Sequence, residues 1–210
     1  MGHSLGGAPE LIIFRGRGGT GASSFLWRVF STVGGAGKYL RLNDTTALQD
    51  DTGYLNNTLP NETVFTLGTD GDVNNSNYNY VAYCFRSVPG VCKVGRYTGN
   101  GDGSTGAGYD GPYISLGFKP KFILVKRTDS GNSWILQDTS RHPLNPVDNY
   151  LQAESNSFET ATSGDVDFLS DAIKIRTGNG NAWNANGGNY LILAMADIAG
   201  GGTAPPIFGR

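Results

Sequence analysis

The chain has 210 residues with a formal charge of −2, 16% charged and 38% hydrophobic side chains, which excludes a chain held open by self-repulsion and suits one large all-β domain or two of about 100 residues. Glycine, at 32 residues, is about twice its usual ~7% share and is scattered among Asn, Asp, Thr and Ser instead of following a collagen triplet, which is turn chemistry. A pI near 5.6 leaves no broad basic footprint for a nucleic-acid backbone, and apolar runs such as residues 191–196 fall far short of the ~20 residues of a membrane helix.

Along the chain, Met1-Gly2-His3-Ser4-Leu5-Gly6-Gly7 lacks the basic-then-apolar pattern of an export signal, so synthesis in a cytoplasm without Sec export is expected. The apolar segments that follow are short, rich in β-branched and aromatic residues, and separated by Gly, Asn, Asp or Pro. They predict strands near 10–15, 25–30, 38–42, 63–67, 79–86 and 91–97, then 113–116, 121–127, 133–138, 149–152, 172–176 and 189–196. No window sustains a helical period over three turns, so helices are expected to be short or absent. Continuous runs such as Leu11 to Phe14 and Phe122 to Val125 read as strands covered on both faces. Cys84 and Cys92 flank the turn-like Val88-Pro89-Gly90-Val91. A two-residue hairpin at Pro89-Gly90 would set Cys84 opposite Gly95, so free buried thiols are expected. The Asn-x-Ser/Thr sequences at Asn43, Asn56, Asn61 and Asn74 read as loop composition.

The two halves of the chain match. Gly7-Ala8-Pro9-Glu10-Leu11-Ile12-Ile13-Phe14-Arg15 returns as Phe118-Lys119-Pro120-Lys121-Phe122-Ile123-Leu124-Val125-Lys126, Lys38-Tyr39-Leu40 as Asn149-Tyr150-Leu151, and Asn74, Asn79, Tyr80 and Val81 as Asn184, Asn189, Tyr190 and Leu191, all at offsets of 110 or 111. The segments around Trp27 and Trp134 correspond more loosely, because the loops ahead of them differ in length. The expected fold class is therefore all-β, two tandem similar units forming a β-sandwich or a pair of sandwiches. The units are drawn at 1–97 and 113–197, with a Gly-rich link at 98–112 and a flexible C-terminal arm at 198–210 in which Ile207 and Phe208 would dock into a neighbour.

Catalytic chemistry finds little support. The histidines are His3 and His142; a His142 base oriented by Asp138 or Asp148 lacks a Gly-x-Ser-x-Gly elbow, and two cysteines with two remote histidines do not build a four-ligand metal site. Gly16-Arg17-Gly18-Gly19-Thr20-Gly21 fits G-x-G-x-x-G, yet an aromatic strand-like segment follows where a dinucleotide site needs a helix, and the second copy dispenses with the glycines; a hairpin loop is the better reading. Asp70-Gly71-Asp72-Val73-Asn74 spaces oxygen ligands as a calcium loop does, but Asn75 stands for the turn Gly and Val81 for the closing Glu. Tyr54, Tyr97, Tyr109, Trp27 and Trp183 are the candidate exposed aromatics, with Tyr54, Tyr97, Tyr109, Ile207 and Phe208 taken as interaction residues. No catalytic residue, cofactor or metal is assigned.

Gly2-His3-Ser4-Leu5-Gly6 with Pro9, Lys38-Tyr39-Leu40-Arg41-Leu42-Asn43, Val64-Phe65-Thr66-Leu67-Gly68, Asn79-Tyr80-Val81-Ala82-Tyr83-Cys84-Phe85 and Tyr97-Thr98-Gly99-Asn100-Gly101 followed by Gly117-Phe118-Lys119-Pro120 resemble the uncharacterised duplicated β domain encoded by many tailed bacteriophages, over nearly all of residues 2–197. The resemblance implies a non-enzymatic virion protein, a tail-fibre or appendage component that contacts the host surface. A stand-alone copy would equally decorate a capsid head, and a glycan-binding module or a glycan depolymerase are the other readings. The expected partners are other virion proteins, further copies of the chain and a host-surface glycan, with no nucleic acid and no membrane span.

Overall fold

The computed structural model describes residues 1–19, 26–102, 110–178 and 182–197. Every element among them is a strand. The first sheet takes β1 (Leu11–Gly19), β2 (Arg28–Ser31), β3 (Lys38–Arg41), β4 (Gln49–Asp50) and β5 (Tyr78–Phe85) in the order β4-β3-β2-β1-β5. The second takes β6 (Cys92–Thr98), β7 (Tyr113–Ser115), β8 (Pro120–Arg127), β9 (Trp134–Asp138), β10 (Val147–Gln152), β11 (Thr160–Phe168), β12 (Ala172–Ile175) and β13 (Asn189–Ala196) in the order β6-β13-β8-β9-β10-β11-β12-β7. The fold is all-β, as the residue pattern requires.

The duplication is written in the strand registers. The run β5-β1-β2-β3-β4 recurs as β13-β8-β9-β10-β11. Ile13 opposes Tyr83 and Val29, and Leu124 opposes Leu193 and Leu136. Leu40 opposes Val29 as Leu151 opposes Leu136, and Asp50 opposes Lys38 as Ala161 opposes Asn149. Hydrogen bonds outside the ladders repeat too: Asn75 N–H donates to the Tyr80 hydroxyl at 3.0 Å, and Ala185 N–H to the Tyr190 hydroxyl at 2.9 Å. Trp27 N–H donates to Asn43 Oδ1, and Trp134 N–H to Glu154 Oε2. Trp27 and Trp134 are thus equivalent positions, displaced from the common offset by the longer β1–β2 connection.

Three expectations are corrected. Residues 63–67 form no strand, because Val64 makes only a single bridge to Gly2 while Phe65 turns inward. Two strands were not anticipated, β4 because it is two residues long, and β11 because Thr160-Ala161-Thr162-Ser163-Gly164 carries no apolar alternation. Residues 86–91 are not a two-residue hairpin: Val88 and Cys92 exchange backbone hydrogen bonds around Gly90, whose φ of 74° suits glycine. β5 and β6 consequently enter different sheets, so β6, expected in the first unit, pairs with β13.

Alternation along the strands builds three cores. Leu11, Ile13, Val29 and Leu40 of the first sheet meet Val94, Leu124, Trp134, Leu191 and Leu193 of the second, making a sandwich between equivalent faces of the two units. The opposite face of the first sheet, through Ile12, Phe14 and Phe30, is covered by Tyr54, Leu55, Phe65 and Val73 from 51–77. The opposite face of the second, through Ile123, Val125 and Ile135, is covered by Val166, Phe168, Ile173 and Ile175 as that sheet folds over itself. This double coverage explains the unbroken apolar runs of β1 and β8.

Candidate interaction surface

Most of the chemically able side chains are consumed inside the units. Arg28, on the covered face of β2, lies 3.7 Å from the centre of the Tyr39 ring and pairs with Asp70 and Asp72 at 2.8 Å, with Asp51 at 3.7 Å. The carboxylates of the calcium-like segment are thus turned onto a guanidinium, and Asn74 Nδ2 donates to Gly68 O. Burial pushes the Asp70 carboxyl above the usual carboxylate range, against the pull of Arg28. The position equivalent to Arg28 in the second unit is Ile135, so the ionic cluster belongs to the first unit alone. His142 Nε2 lies 3.3 Å from Asp148, Asp138 is held by Arg141, and His142 Nδ1 has no hydrogen-bond partner among the described residues. The ring thus has a carboxylate beside it.

The expected surface aromatics are mostly interior. Tyr54 is fully buried, edge-on to Tyr39, and its hydroxyl donates to Lys38 O at 2.6 Å. Tyr97 stacks on Tyr190 at 4.7 Å, and its hydroxyl donates to the carbonyl of Trp183, which is also buried. In each case the ring fills the core while the hydroxyl finds a carbonyl, so residence in a Gly- and Asn-rich stretch did not mean exposure. Tyr109, Ile207 and Phe208 lie outside the described residues.

The seam between the units is polar at one end. Lys126 on β8 is fully buried, and its Nζ donates to Thr45 O at 3.0 Å and Asn132 O at 2.7 Å. Burial lowers its ammonium to about 8, opposed by Glu154 and Asp44. The Trp134 indole N–H donates to Arg41 O at 2.7 Å, Asn132 N–H to Thr45 O and Leu48 N–H to Thr128 O. Residues 41–48 of the first unit therefore lie across the β8–β9 hairpin end of the second.

At the equivalent place on the first unit none of the described residues lies across the surface. Arg15, Arg17, Trp27, Val81 and Tyr83 border a groove of about 490 Å³. Arg15, Trp27, Val81 and Tyr83 stand where Lys126, Trp134, Leu191 and Leu193 stand in the second unit, all four of which are buried, and Arg17 lies in the β1 bulge beside them. Arg15 lies over the Trp27 ring at 5.1 Å, Tyr83 is 48% exposed, and the Trp27 indole N–H makes no hydrogen bond with the described residues. This shelf combines a cation, an indole and a phenol, and it continues the apolar face that the sandwich buries. Of its members only Trp27 stood out in the sequence; the signal for the others was the duplication itself, since Val81 and Tyr83 align with core leucines.

A second groove, of about 520 Å³, runs between the ends of β5 and β13 and is bordered by Cys84, Phe85, Cys92 and Met195. The cysteines are free. Burial pushes both thiols up, Cys92 to about 11 with Glu10 adding to the effect, so neither is poised as a thiolate.

A domain of unknown function, DUF7483, matches residues 1–198. The chain belongs to the DUF7483 family. No curated protein and no solved structure matches it. In this DUF7483 chain the matched span takes in both sheets and the shelf.

Proposed function

We propose that this DUF7483 chain is a non-enzymatic structural component of a bacteriophage virion, a tail-fibre or appendage piece that acts by making contacts. Support for the phage setting comes from the residues that resemble the duplicated phage β domain. Support for a contact-making role comes chiefly from one observation: the shelf of Trp27, Tyr83, Arg15 and Arg17 continues the same face that joins the units. A surface built as an extension of an interface is suited to further association. The test is immunogold electron microscopy of particles of a phage that encodes the chain, with antibody raised against it. Label on the tail or its appendages is expected. Label confined to the head shell would replace this reading with capsid decoration, and particles free of label would remove the virion role.

A second reading draws on the same shelf, because a half-exposed indole beside an exposed phenol is what stacking on a sugar ring needs. Retention on immobilised host polysaccharide that is lost in Trp27→Ala and Tyr83→Ala would favour a glycan-binding module. Equal retention of wild type and variants would remove it.

A further inference from the structure

We propose that the shelf over Trp27 receives residues 153–159 from a second copy of this chain, joining copies head to tail. The inference is independent of the virion setting, since its template is the contact inside the molecule. Residues 41–48 lie across the hairpin end of the second unit, giving carbonyls to the Lys126 ammonium and the Trp134 indole. The receiving residues have counterparts in the first unit: Arg15 for Lys126, Trp27 for Trp134, and Val81 and Tyr83 for Leu191 and Leu193. The arriving segment has its counterpart in 152–159, placed by the register that makes Leu151 equivalent to Leu40.

Within one chain neither counterpart is matched with the other. The side-chain hydrogen bonds of 153–159 stay in its own unit, to Trp134, Arg141 and Asn149. Leu151 is 37% exposed where Leu40 is buried, and Phe158, at the place of Ala47, is 96% exposed. The two sheets are offset, so the sandwich covers the β3 side of the first unit and the β13 side of the second. The β5 side of the first and the β10 side of the second are left over. That leaves one donor surface and one acceptor surface per chain, which is a heterologous arrangement that extends into a ring or a filament.

Charge agrees with the pairing. In the seam Leu48 N–H meets Thr128 O; the counterpart of Leu48 is Glu159, and the receiving strand carries the exposed Arg17 at its bulge. Glu159 accepts from Arg141 and Asn149, and a carboxylate retains acceptor sites for another guanidinium. Phe158 would seat against Tyr83 and Val81, and a backbone carbonyl of the segment against the Trp27 indole N–H.

The test is sedimentation velocity of the full chain across a wide concentration range. Wild type is expected to grow with concentration past a dimer. Phe158→Ser and Trp27→Ala are each expected to move that growth to concentrations about tenfold higher, as loss of a central aromatic anchor does. Since Phe158 is exposed, its replacement leaves the fold intact, so the Phe158 variant decides if Trp27→Ala fails to fold. Arg17→Glu and Glu159→Arg are each expected to weaken association alone, while in an equimolar mixture both alternating junctions pair opposite charges, so growth past a dimer returns. A monomer at every concentration, growth that Phe158→Ser leaves unchanged, or a mixture that regains no growth over the single variants would each overturn the proposal. So would a Trp27→Ala variant that keeps wild-type growth and loses only binding to a bacterial polysaccharide.

Discussion

At the residue scale, two buried cations mark what is costly in this fold. Arg28 pairs with three aspartates in a site closed by Tyr39. Arg28→Leu would leave those carboxylates facing each other, and equilibrium urea unfolding at neutral pH is expected to show a loss of about 3 kcal/mol, the scale for breaking a buried pair. Asp70 has its folded value raised by burial, so the folded state holds its proton to higher pH than the unfolded chain. Its contribution to stability therefore falls as pH rises through the range just above the ordinary carboxylate value, and the Arg28→Leu penalty is expected to shrink on acidification through the same range.

Lys126 works in the opposite direction. Its folded value of about 8 lies below the unfolded value of 10.5, so between these the unfolded chain binds more protons and stability rises with pH. The difference in unfolding free energy between wild type and Lys126→Met is expected to shift in favour of wild type from pH 8 upward, and a difference flat across that window would exclude a buried ammonium at the seam. Gly68 illustrates close approach: a Cβ there would fall 1.7 Å from Gly53 O, backbone against backbone. Gly68→Ala is expected to cost about 2–3 kcal/mol in the same urea assay.

At the element scale, the equivalent tryptophans give a comparison internal to one chain. Trp134 is buried with its N–H on Arg41 O, whereas Trp27 is half-exposed at the rim. Trp134→Phe is expected to lower stability by about 2–3 kcal/mol, through lost volume and an unpaired seam carbonyl, and Trp27→Phe by under about 0.5 kcal/mol, both read from thermal unfolding. Most strands were legible because their apolar residues recur in short, Gly- and Asn-bounded runs, and the duplication was legible because Pro, Tyr and Asn landmarks kept their spacing. β11 was not, since its first half is Thr, Ala, Ser and Gly and owes its place to pairing with Tyr150 and Asn149. The pairing of β6 with β13 was also hidden, because a Pro-Gly turn gives no sign of which sheet receives the strand that leaves it. The shelf was readable only by setting one repeat on the other: Tyr83 alone is an ordinary strand tyrosine, and it becomes informative beside Leu193.

At the scale of the whole molecule, equivalent faces of two copies of one unit are pressed together out of step, so that each copy keeps a margin the other does not cover. The first unit keeps Val81, Tyr83 and Trp27; the second keeps Leu151 and the exposed loop with Phe158. The face that makes one chain compact is then the face by which chains add to one another. An experimentally determined structure of the associated protein tests this most directly. Expected is residues 153–159 of one copy lying across Trp27 of the next, with a backbone carbonyl on the indole N–H, as residues 41–48 lie across Trp134 within each chain. An assembly whose contacts leave Trp27 and Phe158 in solvent, or two halves whose strands do not superpose, would contradict it.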